Sequence, residues 1–404
     1  MAEQQSAKGR EAPRLIGIEG LRAIAASSVL VYHVWLYAAP NEHSVRLGHL
    51  TRGFDQLRSG VTLFFALSGF LLFRPYIASA LRGRTSPALG SYLRNRALRI
   101  LPAYWFILLF VAVVLEHELL RNPQQLLANV FLVQDYVPGY IFDAGIVPAW
   151  SLAIEVVFYL AVPILGAMAI RLATRGRVPG VAASFVPVVV MAAIGFASKA
   201  ALHVWPSLGK VWTVSFLTHA DWFAAGMSVA VLRVLWEDGR LRLPRYWRPA
   251  TVLAAVAFAA VGIGLFIKHH LTQLEYQTPI AVACGLVLAL VVFSPPETRL
   301  VRFLTWRPIY AAGLASYSVF LWHDPFVRAL RDWGVTAGGK TGFVFNLALI
   351  VALTAVLSTL TYLFVEKPAL ARKRSWQRAT ARAPEAEPAQ GEAVSAQPVP
   401  AVTS

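Results

Sequence analysis

About ten apolar stretches follow one another along this chain, at roughly 21–39, 60–79, 101–119, 149–170, 181–202, 215–236, 250–268, 277–294, 308–327 and 343–365. Each has about 18 to 24 residues, enough for a helix to cross a hydrocarbon core of roughly 30 Å. In lipid every backbone polar group needs a partner within the protein, so such runs are expected to cross as helices. The expected fold class is all-α, a polytopic transmembrane helical bundle of about ten spans. Bulk chemistry agrees: the 404 residues are 57% hydrophobic and 14% charged, with a mean hydropathy of +0.56. A soluble domain carries about a quarter charged residues. The segment 126–133 is too short to span and is expected to be re-entrant or interfacial.

Charge orients the bundle. Taken alternately, the loops of one side hold Lys8, Arg10 and Arg14; Arg82, Arg84, Arg94, Arg96 and Arg99; Arg171, Arg175 and Arg177; Arg240, Arg242, Arg245 and Arg248; Arg299, Arg302 and Arg307; and Lys367, Arg372, Lys373 and Arg374. The other side is poorer in Lys and Arg and holds Glu42, Asp55, Glu116, Glu118, Asp135 and Asp143. The positive-inside rule then places both termini in the cytoplasm of a cell-membrane protein. Most of the net charge of +16 is accounted for by orientation beside anionic lipid, so no nucleic-acid partner is needed.

Residues 1–13 are polar and 371–404 are basic, then rich in Pro, Ala, Glu and Gln. Both are expected to be disordered cytoplasmic tails around a 14–370 membrane domain. Basic residues before an apolar run ending in Ala38-Ala39 resemble a signal peptide. The His33, Tyr32 and Trp35 side chains within that run, and the spans that follow, favour an uncleaved span. Cys284 alone excludes an intramolecular disulfide and a Cys-rich metal site, and no metal is expected.

Four patterns carry chemistry. Arg22 and His33 are eleven residues apart in the first span, about three helical turns, so both emerge on one face about 16 Å apart. Ionisable groups at such depth are costly and point to function. In Ser91-Tyr-Leu-Arg-Asn-Arg-Ala-Leu-Arg-Ile-Leu-Pro102 the arginines Arg94, Arg96 and Arg99 precede a proline expected to mark a helix start. They read either as orientation signals or as an anion site at a helix N-terminus. In Trp150-Ser-Leu-Ala-Ile-Glu-Val-Val-Phe-Tyr159, Ser151, Glu155 and Tyr159 form a polar stripe at i, i+4 and i+8. Counted from opposite membrane faces, Glu155 and His33 reach similar depths, about 20 and 18 Å from the cytosol. The carboxylate is thus expected to orient the imidazole or to bridge helices. Ser68-Gly69 reads as a packing pair or, less simply, a nucleophile. His323-Asp324-Pro325 is not a helical dyad, because adjacent residues diverge; Asp324 is expected to cap or break the ninth span. His219 and Asp221 stay ambiguous.

Ile18-Glu-Gly-Leu-Arg-Ala-Ile-Ala-Ala-Ser-Ser-Val-Leu-Val-Tyr-His33 resembles the opening signature of the integral-membrane acyltransferase family 3. The resemblance continues through Phe64-Phe-Ala-Leu-Ser-Gly-Phe-Leu71, Arg96-Ala-Leu-Arg-Ile-Leu-Pro-Ala-Tyr-Trp105 and Trp150–Tyr159. It closes with Ser316-Tyr-Ser-Val-Phe-Leu-Trp-His323 and Val365-Glu-Lys-Pro368. The family includes O-acetyltransferases of bacterial surface polysaccharide and lipopolysaccharide and macrolide acyltransferases. The resemblance implies transfer of an acyl group, usually acetyl from acetyl-CoA, to a hydroxyl of a glycan, glycolipid or small molecule. It puts His33 at the reaction centre, with Arg22 and the basic-motif arginines matching family positions. Many members carry an added esterase-like domain; none is read here, so any second step is expected to come from a partner or not exist.

The mechanism expected from topology and resemblance docks acyl-CoA on Arg94, Arg96, Arg99 and Arg22, with pantetheine running towards His33. His33 then acts as general base, oriented by Glu155, or as a covalent acyl relay. Ser68, Trp150, Ser151 and Tyr159 are supporting residues. A proton-coupled secondary transporter using the His/Glu layer is the alternative from another class, and a scaffold without chemistry the third.

Overall fold

A computed structural model describes residues 15–38, 53–83, 85–176, 179–269 and 277–372, and among these there are helices and turns but no strand. Of the expected tails 1–13 and 371–404, residues 1–13 and 373–404 lie outside the described residues, as do Arg14, Glu42, Arg84 and Arg177, whereas Ala371 and Arg372 are helical. In chain order the main helices are α1 (Ile18–Ala38), α2 (Gly60–Arg82), α3 (Leu89–Phe110), α4 (Pro123–Val130), α5 (Ala149–Thr174), α6 (Gly180–Val204) and α7 (Ala220–Glu237). They continue as α8 (Trp247–His269), α9 (Gln277–Val292), α10 (Arg299–Leu304), α11 (Arg307–Leu314), α12 (Ser316–Asp332) and α13 (Gly339–Thr361).

Six helical segments among the described residues are long and apolar enough to cross a membrane: Gly53–Arg82, Leu89–Leu115, Ala149–Thr174, Gly180–Val204, Trp247–Ile267 and Thr341–Arg372. The four other expected spans correspond to α1, α7, α9 and α12. These are either short, at 16 residues for α9 and 17 for α12, or carry ionisable side chains such as Arg22 and His33 in α1.

Three expectations about element ends are corrected. Helix α3 starts at Leu89, so Pro102 lies well inside it and the three arginines occupy its second and third turns. Their neighbouring backbone N–H groups are therefore spent within the helix, and the anion site expected at a helix N-terminus is not there. The ninth span, expected at 308–327, is divided at Ala315 between α11 and α12. Helix α12 runs through Pro325 to Asp332. Asp324 neither caps nor breaks it: its buried carboxylate is held one turn on by Arg328 Nε at 2.9 Å. The segment expected to be interfacial forms α4, capped by Asn122, whose side chain accepts from the Gln125 N–H at 3.1 Å. Tyr104 Oη donates to the Asn129 carbonyl at 2.7 Å and Trp105 Nε1 to that of Val130 at 3.0 Å, tying α4 to α3.

Helix α2 is the hub, packed against α1, α5, α7 and α9. Its contact with α7 is close because two glycines interlock. A β-carbon at Gly69 would overlap the Phe223 carbonyl, and one at Gly226 would overlap that of Ala66. Small residues let helix backbones approach, which is how helices gain packing energy where the solvent is lipid. Gly69 is thus the packing member of the Ser68-Gly69 pair. On the arginine-rich end, Arg74, Arg82 and Arg233 converge on Glu237 at 2.7, 3.1 and 2.8 Å, locking α2 to α7. Deeper, Lys199 Nζ donates to Asp221 Oδ2 and to Thr278 Oγ1, each at 2.6 Å, joining α6, α7 and α9. That resolves Asp221 as an ion-pair partner. Helix α1 packs on the other side against α11, α12 and α13.

Candidate active site

Two cavities lie along α1. The inner one, nearer the arginine-rich helix ends, is narrow, with a volume of about 80 Å³. Helix α1 contributes Arg22, α2 Ser68, α3 Arg96 and Arg99, α5 Ser151, Glu155 and Tyr159, and α12 Tyr317. The helical repeat explains the selection. Arg96 and Arg99 are three residues apart and share a face, whereas Arg94 is two residues from Arg96 and points away. Ser151, Glu155 and Tyr159 recur every four residues, so the polar stripe read from sequence is the α5 wall of this cavity. Ser68 Oγ donates to Glu155 Oε1, and the Tyr159 hydroxyl is within hydrogen-bonding reach of the same carboxylate. Arg22 feels Arg99, Glu155 and Glu366, and Glu366 accepts from Ser318 Oγ at 2.5 Å. The cavity is an arginine-rich slot whose positive charge two carboxylates offset only in part. A further cavity of about 370 Å³ shares Leu71, Leu72 and Arg96 with it and extends to Pro87 and Ser91, at the arginine-rich ends of α2 and α3.

The outer cavity is larger, about 310 Å³, and strongly aromatic. Tyr32, His33 and Tyr37 come from α1, Trp150 from α5, Phe142 from the loop before α5, and His219 and Trp222 from the start of α7. Arg58 and Gln277 add polar groups. Aromatic faces with a few polar groups between them suit an amphipathic ligand that has apolar surface and hydroxyls. His33 is held from three sides. Its ring lies edge-on to Tyr32, with centroids 5.1 Å apart, and stacks with Tyr37 at 6.0 Å. Its Nδ1 is 3.0 Å from the Val29 carbonyl and 3.0 Å from Nε2 of His323 on α12. Phe64, Phe65 and Phe320 form an aromatic wall of the inner cavity, and of these Phe65 also touches Trp222 and His219 of the outer one. Phe64 and Phe320 meet edge to face at 5.7 Å, and Phe65 packs on Trp222 at 5.7 Å.

The structure thus brings together Arg22, Arg96, Arg99, Ser68, Ser151, Glu155 and Tyr159 around one cavity and sets His33 and Trp150 in the other. Arg94 lines neither. Glu155 does not orient His33: its carboxylate accepts from Ser68 in the inner slot, and the imidazole is met by His323 instead. Equal depth on two helices left the lateral position open, and α2 lies against both α1 and α5. Tyr317, Phe320, His323 and Glu366 were passed over as site residues. For Phe320 and His323 the signal is their spacing, since residues three apart share a face; Tyr317 and Glu366 carry no such signal.

The loop between α3 and α5 closes the outer end. Arg328 pairs with Glu116 at 2.7 Å and with Asp324, and donates to the Gly145 carbonyl. Asp135, in the same loop, is 1% exposed with no hydrogen-bond partner for Oδ2 among the described residues. Burial pushes its carboxyl up to about 7.

Comparison with known proteins agrees with this architecture. Residues 15–363 match the family described as "Acyltransferase domain". The chain is similar to O-acetyltransferase OatA of Staphylococcus aureus (strain NCTC 8325 / PS 47), 24% identical over 387 residues, covering 88% of this chain and 57% of that protein. It is 26% identical over 376 residues to the putative peptidoglycan O-acetyltransferase YrhL of Bacillus subtilis (strain 168), covering 87% and 54%. With the putative membrane-bound transacylase BcsY of Komagataeibacter xylinus it shares 27% over 370 residues, covering 87% and 82%. The chain therefore spans little more than half the length of OatA and YrhL. No solved structure matches it.

Proposed function

Because this chain belongs to the acyltransferase domain family, we propose that it is a membrane O-acyltransferase that moves an acetyl group from cytosolic acetyl-CoA to a hydroxyl of a carbohydrate or glycosylated acceptor. The observation that carries this reading is the pair of cavities meeting along α1, one built of arginines and the other of aromatics around His33. A donor with several phosphates and an acceptor with hydroxyls and apolar faces have opposite requirements, and each cavity suits one of them.

In this reading the arginine-rich end faces the cytosol, and Arg96 and Arg99 grip the donor phosphates with Arg22 above them. The basic helix ends fit that orientation, which also puts both termini of a ten-span domain in the cytoplasm. The thioester reaches the aromatic wall through the inner slot. Glu155, with Ser68 and Tyr159, keeps the arginines apart and shapes the slot, so it acts on the donor side. An acceptor hydroxyl enters the outer cavity and gives its proton to His33 while its oxygen attacks the thioester carbonyl. Collapse of the tetrahedral adduct breaks the carbon–sulfur bond, and the imidazolium returns the proton to the departing thiolate. Phe64 and Phe320 must turn aside for the two substrates to meet. OatA and YrhL, by name O-acetyltransferases, favour acetyl as the transferred group.

The test is acetyl transfer by the detergent-purified chain from radiolabelled acetyl-CoA to envelope glycan, with His33→Ala and a transport-type assay in parallel. Loss of transfer in a folded His33→Ala protein is expected. Near wild-type transfer by that variant would overturn the role of His33. Solute movement with the thioester left intact would overturn the enzyme reading.

A further inference from the structure

We infer that His323 is the positioning residue of His33, accepting a hydrogen bond from His33 Nδ1–H and so presenting the bare Nε2 of His33 to the acceptor. The inference rests on the reading of His33 as general base and adds the group that fixes its tautomer.

The argument is an elimination among hydrogen placements. Five groups form a chain of contacts: the Val29 carbonyl, His33 Nδ1, His323 Nε2, then on the same ring His323 Nδ1, and the Val319 carbonyl. The separations are 3.0, 3.0 and 3.2 Å. Carbonyl oxygens only accept, and each neutral ring carries one N–H. If His323 Nε2 were the donor, the lone pair of His33 Nδ1 would face the Val29 oxygen. The lone pair of His323 Nδ1 would likewise face the Val319 oxygen, giving two repulsive contacts in a buried place. The opposite arrangement satisfies both carbonyls. His323 Nδ1–H donates to Val319, and His33 Nδ1–H is shared between Val29 and the lone pair of His323 Nε2. The two remaining placements set N–H against N–H or lone pair against lone pair across the 3.0 Å between the rings, so the favoured arrangement stands, and it leaves His33 Nε2 unprotonated.

The surroundings hold the arrangement. His323 is fully buried, and the Phe320 ring lies 5.8 Å from its own. The nearby charges are arranged so that an imidazole, and not a carboxylate, meets His33. Asp324 is turned to Arg328, which Glu116 also engages at 2.7 Å. When His33 takes the acceptor proton, its Nδ1–H bond strengthens towards His323. The role matches that of the third group in a nucleophile–base–orienter set, filled here by a neutral ring.

Two substitutions and one spectrum test this on the full-length chain in detergent. His323→Leu removes the acceptor, and kcat is expected to fall about 10- to 100-fold with KM for acetyl-CoA within about twofold of wild type. His323→Gln can place an amide oxygen near the former Nε2 and is expected to recover most of that loss. In ¹⁵N-histidine spectra of the wild-type protein, with His33 identified by its absence from His33→Ala, Nδ1 is expected to be protonated and Nε2 bare. A wild-type His33 carrying its proton on Nε2 would overturn the proposal, whether or not the variants fold. So would a folded His323→Leu protein with kcat within twofold of wild type while His33→Ala is inactive. An active His33→Ala protein would instead refute the general-base reading, and the spectrum would still decide the tautomer.

Discussion

At the scale of single residues, the three arginines of α3 separate on geometry alone. Arg96 and Arg99 line the inner cavity and Arg94 does not. A hydrogen bond to a charged group contributes about 1.5–3 kcal/mol, roughly a 10- to 150-fold effect on binding. Arg96→Ala and Arg99→Ala are each expected to raise KM for acetyl-CoA at least about 10-fold, with Arg94→Ala within about twofold. Steady-state titration of the donor checks this, and equal effects at all three positions would reject the face assignment. Asp135 makes a separate prediction. Its carboxyl ionises near pH 7 in the folded protein and near 3.9 once unfolded, so the unfolded chain releases its proton first as pH rises. Stability from this group therefore falls between about pH 4 and 7 and levels off above, by a few kcal/mol at most. Thermal melting is expected to show Asp135→Asn more stable than wild type at pH 8 and little different at pH 4.

At the scale of elements, the apolar runs were legible because their length is fixed by bilayer thickness, and each one falls largely on helix among the described residues. Helix ends were less so. Pro102 resembled a start signal, yet a membrane helix can carry an internal proline where neighbouring groups absorb the lost N–H, and α2, α5, α6 and α12 do the same at Pro75, Pro163, Pro187 and Pro325. Partnerships between helices are set by lateral packing, which no periodicity within one segment encodes. Arg22 and His33 were found because both sit on α1, at a spacing that the helix itself dictates. His323 was missed as a partner because it comes 290 residues later, on another helix. The contact of α2 with α7 is open to test at this scale. Replacing Gly226 by leucine forces a side chain against the Ala66 carbonyl, and overpacking of this kind costs about 1–3 kcal/mol. A lowered melting temperature is expected, with a smaller drop for Gly226→Ala.

At the scale of the whole molecule, two cavities lie along α1, one with arginines and an aromatic wall where Phe64 and Phe320 meet, the other with aromatics around His33. The wall has two consequences for an acyl carrier. With the donor seated as proposed, it would keep water and acceptor away from the thioester until both substrates are bound, and it would limit the length of the acyl group held in the inner slot of about 80 Å³. Phe65 is a poor point of attack, since it stacks on Phe223 at 4.5 Å and belongs to the core. Phe64 is half-buried and touches the slot, so it can be shortened with less damage to the bundle. Each added methylene that a pocket must accommodate is worth about 1–3 kcal/mol in discrimination. Phe64→Ala is therefore expected to raise the ratio of kcat/KM for butyryl-CoA over acetyl-CoA by about 10-fold or more, chiefly through better use of the longer donor. The same variant is expected to hydrolyse acetyl-CoA faster when no acceptor is present, because the wall no longer shields the thioester. Competition between the two donors in one reaction, read by mass spectrometry of the product, measures the first effect, and thiol release without acceptor measures the second. An unchanged donor ratio in a folded Phe64→Ala protein would mean that the acyl group never lies against this wall, and the donor path would then have to be sought outside the inner slot.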